Sequence, residues 1–256
     1  MNFIMTIAAS DNSGGAGIQK DILIADKLNF WGISAITGIT VQNFDKVSKI
    51  VPVKSELLKM QIENCYTSFN IKATKIGAIC SYDNLLVIID SIKKFKPFNI
   101  VLDPIIAASS GEKFLDNNSI KLMKNELFPL MTIITPNKDE FEIFTKTKIQ
   151  TIKEAIDLAK IKSKEWNTSI LLKGGHFFNK YINEALISNG IAYYFQRKRE
   201  NFKYSHGTGC TLSTAIACYL ANNYSLKDAY LLASEFLLNH YKSIQKIIEK
   251  VQDVNK

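Results

Sequence analysis

FIMTIAASDNSGGAGIQKDILIADKL, residues 3–28, contains the unit from which the fold is read. Residues 3–9 are apolar apart from Thr6 and read as a buried first strand. Gly14, Gly15 and Gly17 supply a tight turn. Ile18, Ile22, Ala25 and Leu28 then recur every three to four residues, which predicts a helix with one apolar face. The same rhythm repeats outward from this unit. Strands are expected at 33–41, 74–79, 100–102, 132–135 and 169–173. Helices are expected at 57–69, 82–95, 120–127, 152–166, 211–220 and 226–247. Ser188-Asn189-Gly190 between the apolar runs 184–187 and 191–195 predicts a hairpin. Strands alternating with helices predict an α/β protein, a mostly parallel sheet with helices on both faces. No Pro/Gly/Ser-rich linker and no internal repeat interrupts residues 1–256, so one domain is expected.

Composition excludes several classes. A chain of 256 residues can bury a large core, and 46% apolar with 22% charged residues is unlike a disordered chain or a coiled coil. No run of 18 apolar residues is present, so no membrane helix is expected. The opening MNFIMTIAAS has no basic residue ahead of its apolar run and reads as a core strand, not a signal peptide. The net charge of +8 comes from 30 lysines and only 2 arginines, Arg197 and Arg199. Nucleic-acid readers rely on arginine for bidentate contacts. Lysines scattered over helix surfaces read as compositional drift, so no nucleic-acid partner is expected. Cys65, Cys80, Cys210 and Cys218 form no CxxC pair and only three histidines accompany them, which argues against zinc. With no export signal, the four read as reduced thiols of a cytoplasmic protein.

Ligands of parallel α/β sheets sit beyond the carboxyl ends of the strands. Those ends hold Ser10-Asp11-Asn12, Gln42-Asn43, Asp103-Pro104, Pro136-Asn137-Lys138-Asp139-Glu140, Lys173-Gly174-Gly175-His176 and Ser205-His206-Gly207-Thr208-Gly209-Cys210-Thr211. Gly207 and Gly209 let backbone approach a ligand, and the helix that follows aims free N–H groups at it, an anion hole suited to a phosphoryl group. Cys210 falls at that helix N-terminus, where a thiolate is favoured. The plainer reading is a glycine turn with Cys210 as a small core residue. Lys173 suits a fixed cation beside phosphates, or a surface lysine before a turn. Asp103 and Glu140 suit Mg²⁺, which takes one or two carboxylates plus phosphate oxygens and water. They equally suit a turn residue before Pro104 and a first-turn helix acid. Gln42 ends an apolar strand, where an amide needs polar partners such as a heteroaromatic ring or a neighbouring loop. Neither GxGxxG nor the Walker lysine pattern is present. Together these groups describe phosphoryl transfer by positioning and electrostatics.

The chain resembles the hydroxymethylpyrimidine/phosphomethylpyrimidine kinase family of the ribokinase-like superfamily. The resemblance is carried by residues 6–21, Thr40-Val41-Gln42-Asn43, Thr74-Lys75-Ile76-Gly77, Leu102-Asp103-Pro104, Thr135-Pro136-Asn137, Leu172-Lys173-Gly174-Gly175-His176 and His206-Gly207-Thr208-Gly209-Cys210-Thr211, in order along nearly the whole chain. It implies a ribokinase-like three-layer sandwich and two successive ATP-dependent phosphorylations of 4-amino-5-hydroxymethyl-2-methylpyrimidine. It also implies a homodimer. Carried over residue by residue, Gln42 is the pyrimidine-binding amide and Asp21 a second polar contact. Gly207, Thr208, Gly209 and Cys210 form the anion hole, with Cys210 as the catalytic residue where sugar kinases carry aspartate. Lys173 meets the ATP phosphates; Asp103 and Glu140 organise Mg²⁺. Ala9 replaces a usual glycine and Ile106 a frequent methionine, both expected beside the substrate. Ser109 stands where lysine or threonine is usual, and the hairpin lacks the common aspartate. Pyridoxal or pyridoxine kinase is the alternative of the same fold. From a different class comes an inactive pyrimidine-binding regulator, against which intact Lys173, Asp103, Glu140 and Cys210 argue.

Overall fold

The computed structural model describes residues 2–43, 46–108, 110–174 and 180–254, with side chains through residue 250. Ser109, Gly175 and His176 of the motifs above lie outside the described residues. Nine strands are present among the described residues: β1 Phe3–Asp11, β2 Trp31–Gln42, β3 Val47–Pro52, β4 Ile71–Ile76, β5 Ile100–Leu102, β6 Ile133–Ile134, β7 Ser169–Leu172, β8 Tyr181–Ser188 and β9 Ile191–Lys198. They form one sheet in the order β3-β2-β1-β4-β5-β6-β7-β8-β9. The run from β2 to β7 is parallel; β3 at one edge and β8 and β9 at the other are antiparallel. The helices are α1 Gly17–Lys27, α2 Ser55–Ser68, α3 Tyr82–Phe95, α4 Asn117–Leu122, α5 Lys138–Thr145, α6 Ile152–Glu165, α7 Thr208–Ala221 and α8 Leu226–Val254.

The apolar strand runs divide between two cores. Leu102, Ile134 and Leu172 face a core with Leu58 of α2, Ile88 of α3, Phe141 of α5 and Ala159 of α6. Their neighbours Val101, Ile133 and Leu171 face the opposite core with Ile24 of α1, Ile216 of α7 and Tyr230 of α8. Successive side chains of a strand point to opposite faces, so a strand covered on both sides must be apolar at nearly every position. That is why these strands show no polar alternation.

The structure differs from the expectation in four elements. β4 begins three residues early and ends at Ile76, where its partner β5 ends at Leu102. The helix expected at 120–127 starts at Asn117, where Asp116 Oδ1 accepts the Ser119 N–H at 2.7 Å, and passes into a π turn, Met123–Leu127. Pro129 has no N–H, and the segment ends there as the 3₁₀ turn Phe128–Leu130. β3 is not among the expected strands, and α5 is foreshadowed only by the reading of Glu140 as a first-turn helix acid. β3 is an edge strand with Ser48 and Lys49 exposed, so it lacks the apolar run of its neighbours. α5 is only eight residues long, and its signal is the cap pair Asn137 and Glu140. The hairpin is as expected: Asn189 and Gly190 take φ of 50° and 78°, as a two-residue I′ turn requires.

Candidate active site

A cleft of about 770 Å³ opens along the carboxyl edge of the sheet. At its centre α7 begins. Gly207, the residue before α7, has φ 79°, and a Cβ there would stand 2.0 Å from the Gly15 carbonyl oxygen. Only glycine fits that contact, which joins the loop after β1 to the loop before α7. Asp11 fixes the first loop: Oδ1 accepts the Ser13 N–H and O–H at 2.7 Å each, and Oδ2 accepts the Ala16 N–H at 2.7 Å. His206 Nε2 lies 3.5 Å from Asp11 Oδ2. Burial opposes ionisation of Asp11, but hydrogen bonds from His206, Gln42 and Ser13 outweigh it and hold the carboxyl well below the usual range.

Beside the α7 N-terminus, Lys173 Nζ contacts Asp103 Oδ1 at 2.7 Å and stands 4.0 Å from Glu140 Oε2. A Cβ on Gly209 would lie 3.3 Å from Asp103 Oδ2 and 3.6 Å from Lys173 Nζ. The glycine therefore leaves open the space between the helix N-terminus and the three charged groups. Glu140 closes a capping box: its Oε2 accepts the Asn137 N–H at 2.7 Å, and its own N–H donates to Asn137 Oδ1 at 2.9 Å. Burial pushes the Glu140 carboxyl up to about 7, with Lys173 opposing and Asp103 adding to the rise. The cap role and the place at the charged cluster coexist in one residue.

The structure brings Gly207, Thr208, Gly209, Cys210, Lys173, Asp103, Glu140, Gln42 and Ala9 to this one cleft. Gln42 is half-buried rather than buried, and its backbone N–H donates to Asn12 Oδ1 at 2.8 Å. Ile106 does not line the cleft; it is buried in the same core as Leu102 and Ile134, while Ile105 and Ala107 face the opening. Asp21 does not reach the cleft either. Its side chain is fully buried, with Oδ2 accepting from Thr6 Oγ1 at 2.6 Å and Lys75 Nζ at 2.7 Å, and Oδ1 accepting from Thr214 Oγ1 at 2.8 Å. A carboxylate with both oxygens so occupied is a structural anchor for α1, β4 and α7.

Cys210 sits in the first turn of α7 as expected, but its thiolate is not favoured. The residue is 5% exposed, and burial pushes the thiol up to about 11 against the opposing pull of Lys75. All four cysteines are free and buried. At pH 7.5 iodoacetamide should therefore label every thiol of the native protein slowly. The Cys210 rate should climb roughly tenfold per pH unit, because only the thiolate reacts. Rapid labelling of Cys210 at neutral pH, read by peptide mass spectrometry, would contradict this.

Sequence reasoning missed three parts of the site. Lys75 signalled itself only as a lysine inside an apolar strand. His206 was quoted in a motif without a role. The two arginines, Arg197 and Arg199, both line the β8–β9 end of the cleft, where Arg197 Nε stands 3.5 Å from Glu184 Oε2. Their rarity among 32 basic residues was the available signal.

A parallel three-layer sandwich with a glycine-built helix N-terminus, a fixed lysine and two carboxylates defines a kinase of the ribokinase-like class. The family model for phosphomethylpyrimidine kinase matches residues 11–255, and the chain belongs to that family. It is 30% identical over 243 residues to the hydroxymethylpyrimidine/phosphomethylpyrimidine kinase of Aquifex aeolicus, covering 95% of each chain. It superposes on the crystal structure of phosphomethylpyrimidine kinase from Clostridium difficile 630 with a TM-score of 0.83 and 31% identity, over 94% of this chain and 99% of that one. An ADP complex of Bacillus subtilis pyridoxal kinase is also similar, with a TM-score of 0.84 and 27% identity over 92% and 90% of the chains.

Proposed function

We propose that this chain transfers the γ-phosphoryl group of ATP first to the hydroxyl of 4-amino-5-hydroxymethyl-2-methylpyrimidine and then to the resulting monophosphate. The observation that carries this reading is the open space at Gly209, bounded by the α7 N-terminus, Lys173 and Asp103, in a cleft that Gln42 and Ala9 line on the β1–β2 side. Free N–H groups and a fixed cation at one point suit a phosphoryl group in transit. Residues 1–256 act in this reading as one kinase domain, supported by the single continuous sheet.

Asp103 and Glu140 fit a divalent cation. Asp103 raises the Glu140 carboxyl through their mutual repulsion, which a hard cation would relieve. Among the described residues no three acidic, histidine or cysteine groups form a complete cage. Mg²⁺ would then take phosphate oxygens and water as its remaining ligands. Bound there, it neutralises charge on the phosphates. Lys173 holds the phosphoryl oxygens, and the loop from Gly207 to Cys210 donates N–H groups to them.

Gln42 reads the pyrimidine edge. Gln42→Leu should leave a ring donor and acceptor unpaired, weakening pyrimidine affinity by about 1–3 kcal/mol while ATP affinity stays put. An unchanged Michaelis constant for the pyrimidine would remove this assignment.

Cys210 is the residue we assign to the hydroxyl proton. The first acceptor must lose a proton during transfer, and a positioned base contributes roughly 10²–10⁴-fold to such a step. The monophosphate is already anionic, with its second pKa near about 6, and needs no base. The thiol of Cys210 is pushed up to about 11, so its basic form is scarce at neutrality and grows as pH rises. Both steps should gain as Glu140 ionises around pH 7; above pH ~8 the alcohol step should keep accelerating while the monophosphate step is flat. Cys210→Ala should slow the first step far more than the second and abolish that pH slope. Single-turnover kinetics on both acceptors decides this; equal losses would mean that Cys210 acts through loop shape alone.

The pyridoxal reading stays second, favoured by the similarity to the Bacillus subtilis enzyme. Both substrates are flat heteroaromatics bearing a hydroxymethyl group. A homodimer is supported by the apolar side chains of Ile39, Val41 and Val51, exposed on the β2–β3 edge. No helix among the described residues is long and apolar enough to cross a membrane.

A further inference from the structure

Asp11 ends β1, and its buried side chain joins three parts of the cleft. The carboxylate accepts from Ser13 and Ala16 of the loop after β1 and faces His206 of the loop before α7. The side-chain amide of Gln42 is a further hydrogen-bond donor to it. The backbone places Gln42 for that contact. Thr40, two residues earlier, is the register partner of Asp11 across β1 and β2, and the Gln42 N–H donates to Asn12 Oδ1 at 2.8 Å. Burial opposes ionisation of Asp11, but the donors around it hold the carboxyl well below the usual range. At neutral pH it is charged and can only accept.

A side-chain amide can present its oxygen and its NH₂ group either way round, and its neighbours decide which. A carboxylate beside Gln42 allows one choice. One N–H must point to Asp11, since the carbonyl oxygen there would set two acceptors against each other. The edge left for a ligand then carries the carbonyl oxygen and the second N–H in a fixed order. The pyrimidine alcohol offers the matching order, a donor at its 4-amino group and an acceptor at the adjacent ring nitrogen. Pyridoxal instead carries an aldehyde, an acceptor, beside its hydroxymethyl carbon. We propose that Asp11 is a positioning residue that locks the Gln42 amide in this polarity, so that the cleft selects a ring with an amino group beside the hydroxymethyl carbon. The oxygens of Asp11 are taken up by protein donors, so it acts through Gln42 and not on the ring. The proposal rests on the reading of Gln42 as the pyrimidine contact.

The test uses the pyrimidine alcohol and its 4-oxo analogue. In the analogue the amino group becomes a carbonyl and the adjacent ring nitrogen gains a hydrogen, so donor and acceptor trade places. Calorimetric affinity for both rings is measured on the full chain as wild type, Asp11→Asn, Gln42→Leu and the double variant. The wild type should prefer the amino ring roughly 10²-fold, the size expected when both groups of the amide are mismatched. In Asp11→Asn the neighbour can donate as well as accept, the Gln42 amide can turn over, and the preference should fall to within about fivefold. Gln42→Leu should show the same small preference, and adding Asp11→Asn to it should change nothing further. An intact preference in Asp11→Asn would overturn the proposal; if both affinities fall together, Asp11 is only a prop for the loop. Should Asp11→Asn not fold, NMR of the ligand-free wild type decides. One side-chain N–H signal that disappears in Gln42→Leu should stand downfield and exchange slowly; two fast-exchanging protons at ordinary positions would overturn the lock. A wild type that prefers the amino ring but consumes no ATP would overturn the kinase reading, and the preference in Asp11→Asn would still decide the role of Asp11. A wild type that binds neither ring would overturn the pyrimidine reading and this proposal together.

Discussion

Lys173→Ala should lower kcat by roughly 10²–10³-fold with both the alcohol and its monophosphate, since removing one preorganised group from a developing charge has effects of that size. Both steps move the same γ-phosphoryl group past the same side chain, so the two losses should match. The geometry adds a second reason. Lys173 Nζ is the cation between Asp103 at 2.7 Å and Glu140 at 4.0 Å. Without it two buried carboxylates face each other, and Glu140, already pushed up to about 7, is driven further toward its protonated form. A protonated Glu140 is a poorer ligand for a divalent cation. The Michaelis constant for the pyrimidine should change little, because Gln42 ends β2, and β1, β4, β5 and β6 stand between β2 and β7 in the strand order. Steady-state kinetics with each acceptor measures this. A kcat within threefold of wild type, or a loss confined to one acceptor, would remove Lys173 from the phosphate site.

Lys75→Met should destabilise the fold by about 3–5 kcal/mol, the range for breaking a buried ion pair from one side. Both side chains of the Lys75–Asp21 pair are fully buried. The variant leaves Asp21 charged among Thr6, Thr214 and apolar neighbours, with two hydroxyl donors but no cation. The double variant Lys75→Met with Asp21→Asn should recover much of the loss, because a neutral amide can accept from one hydroxyl with its oxygen and donate to the other with its NH₂. Urea unfolding of the single and double variants gives the comparison. An unchanged midpoint for Lys75→Met would mean the pair contributes nothing to the join between α1, β4 and α7.

The layers of this fold were legible because burial on both faces forces the parallel strands to be apolar throughout, as at Val101-Leu102 and Ile133-Ile134. Edge strand β3 was not, since one exposed face removes that constraint. In the site, glycines gave the clearest signal: at Gly207 a Cβ would run into the Gly15 carbonyl oxygen, and at Gly209 one would crowd the space beside Asp103 and Lys173. Charged residues were harder to place. Asp21 and Asp103 look alike in sequence, each an acid beside apolar residues. Only the fold shows that Lys75, Thr6 and Thr214 enclose one, while the other meets Lys173 in an open cleft. The thiol of Cys210 shows the same limit. Its place in the first turn of α7 follows from sequence, but its burial depends on α1 and β4 packing behind it.

The most direct test of this account is ATP consumption by the purified protein with the hydroxymethylpyrimidine, its monophosphate and pyridoxal, run side by side with identification of the products. The account predicts turnover with the alcohol and with the monophosphate, ending in the pyrimidine diphosphate, and both should outpace pyridoxal. Turnover of pyridoxal alone would instead identify a vitamin kinase of the other kind. No ATP consumption with any of the three, from a folded protein that binds the pyrimidine, would contradict the kinase reading altogether.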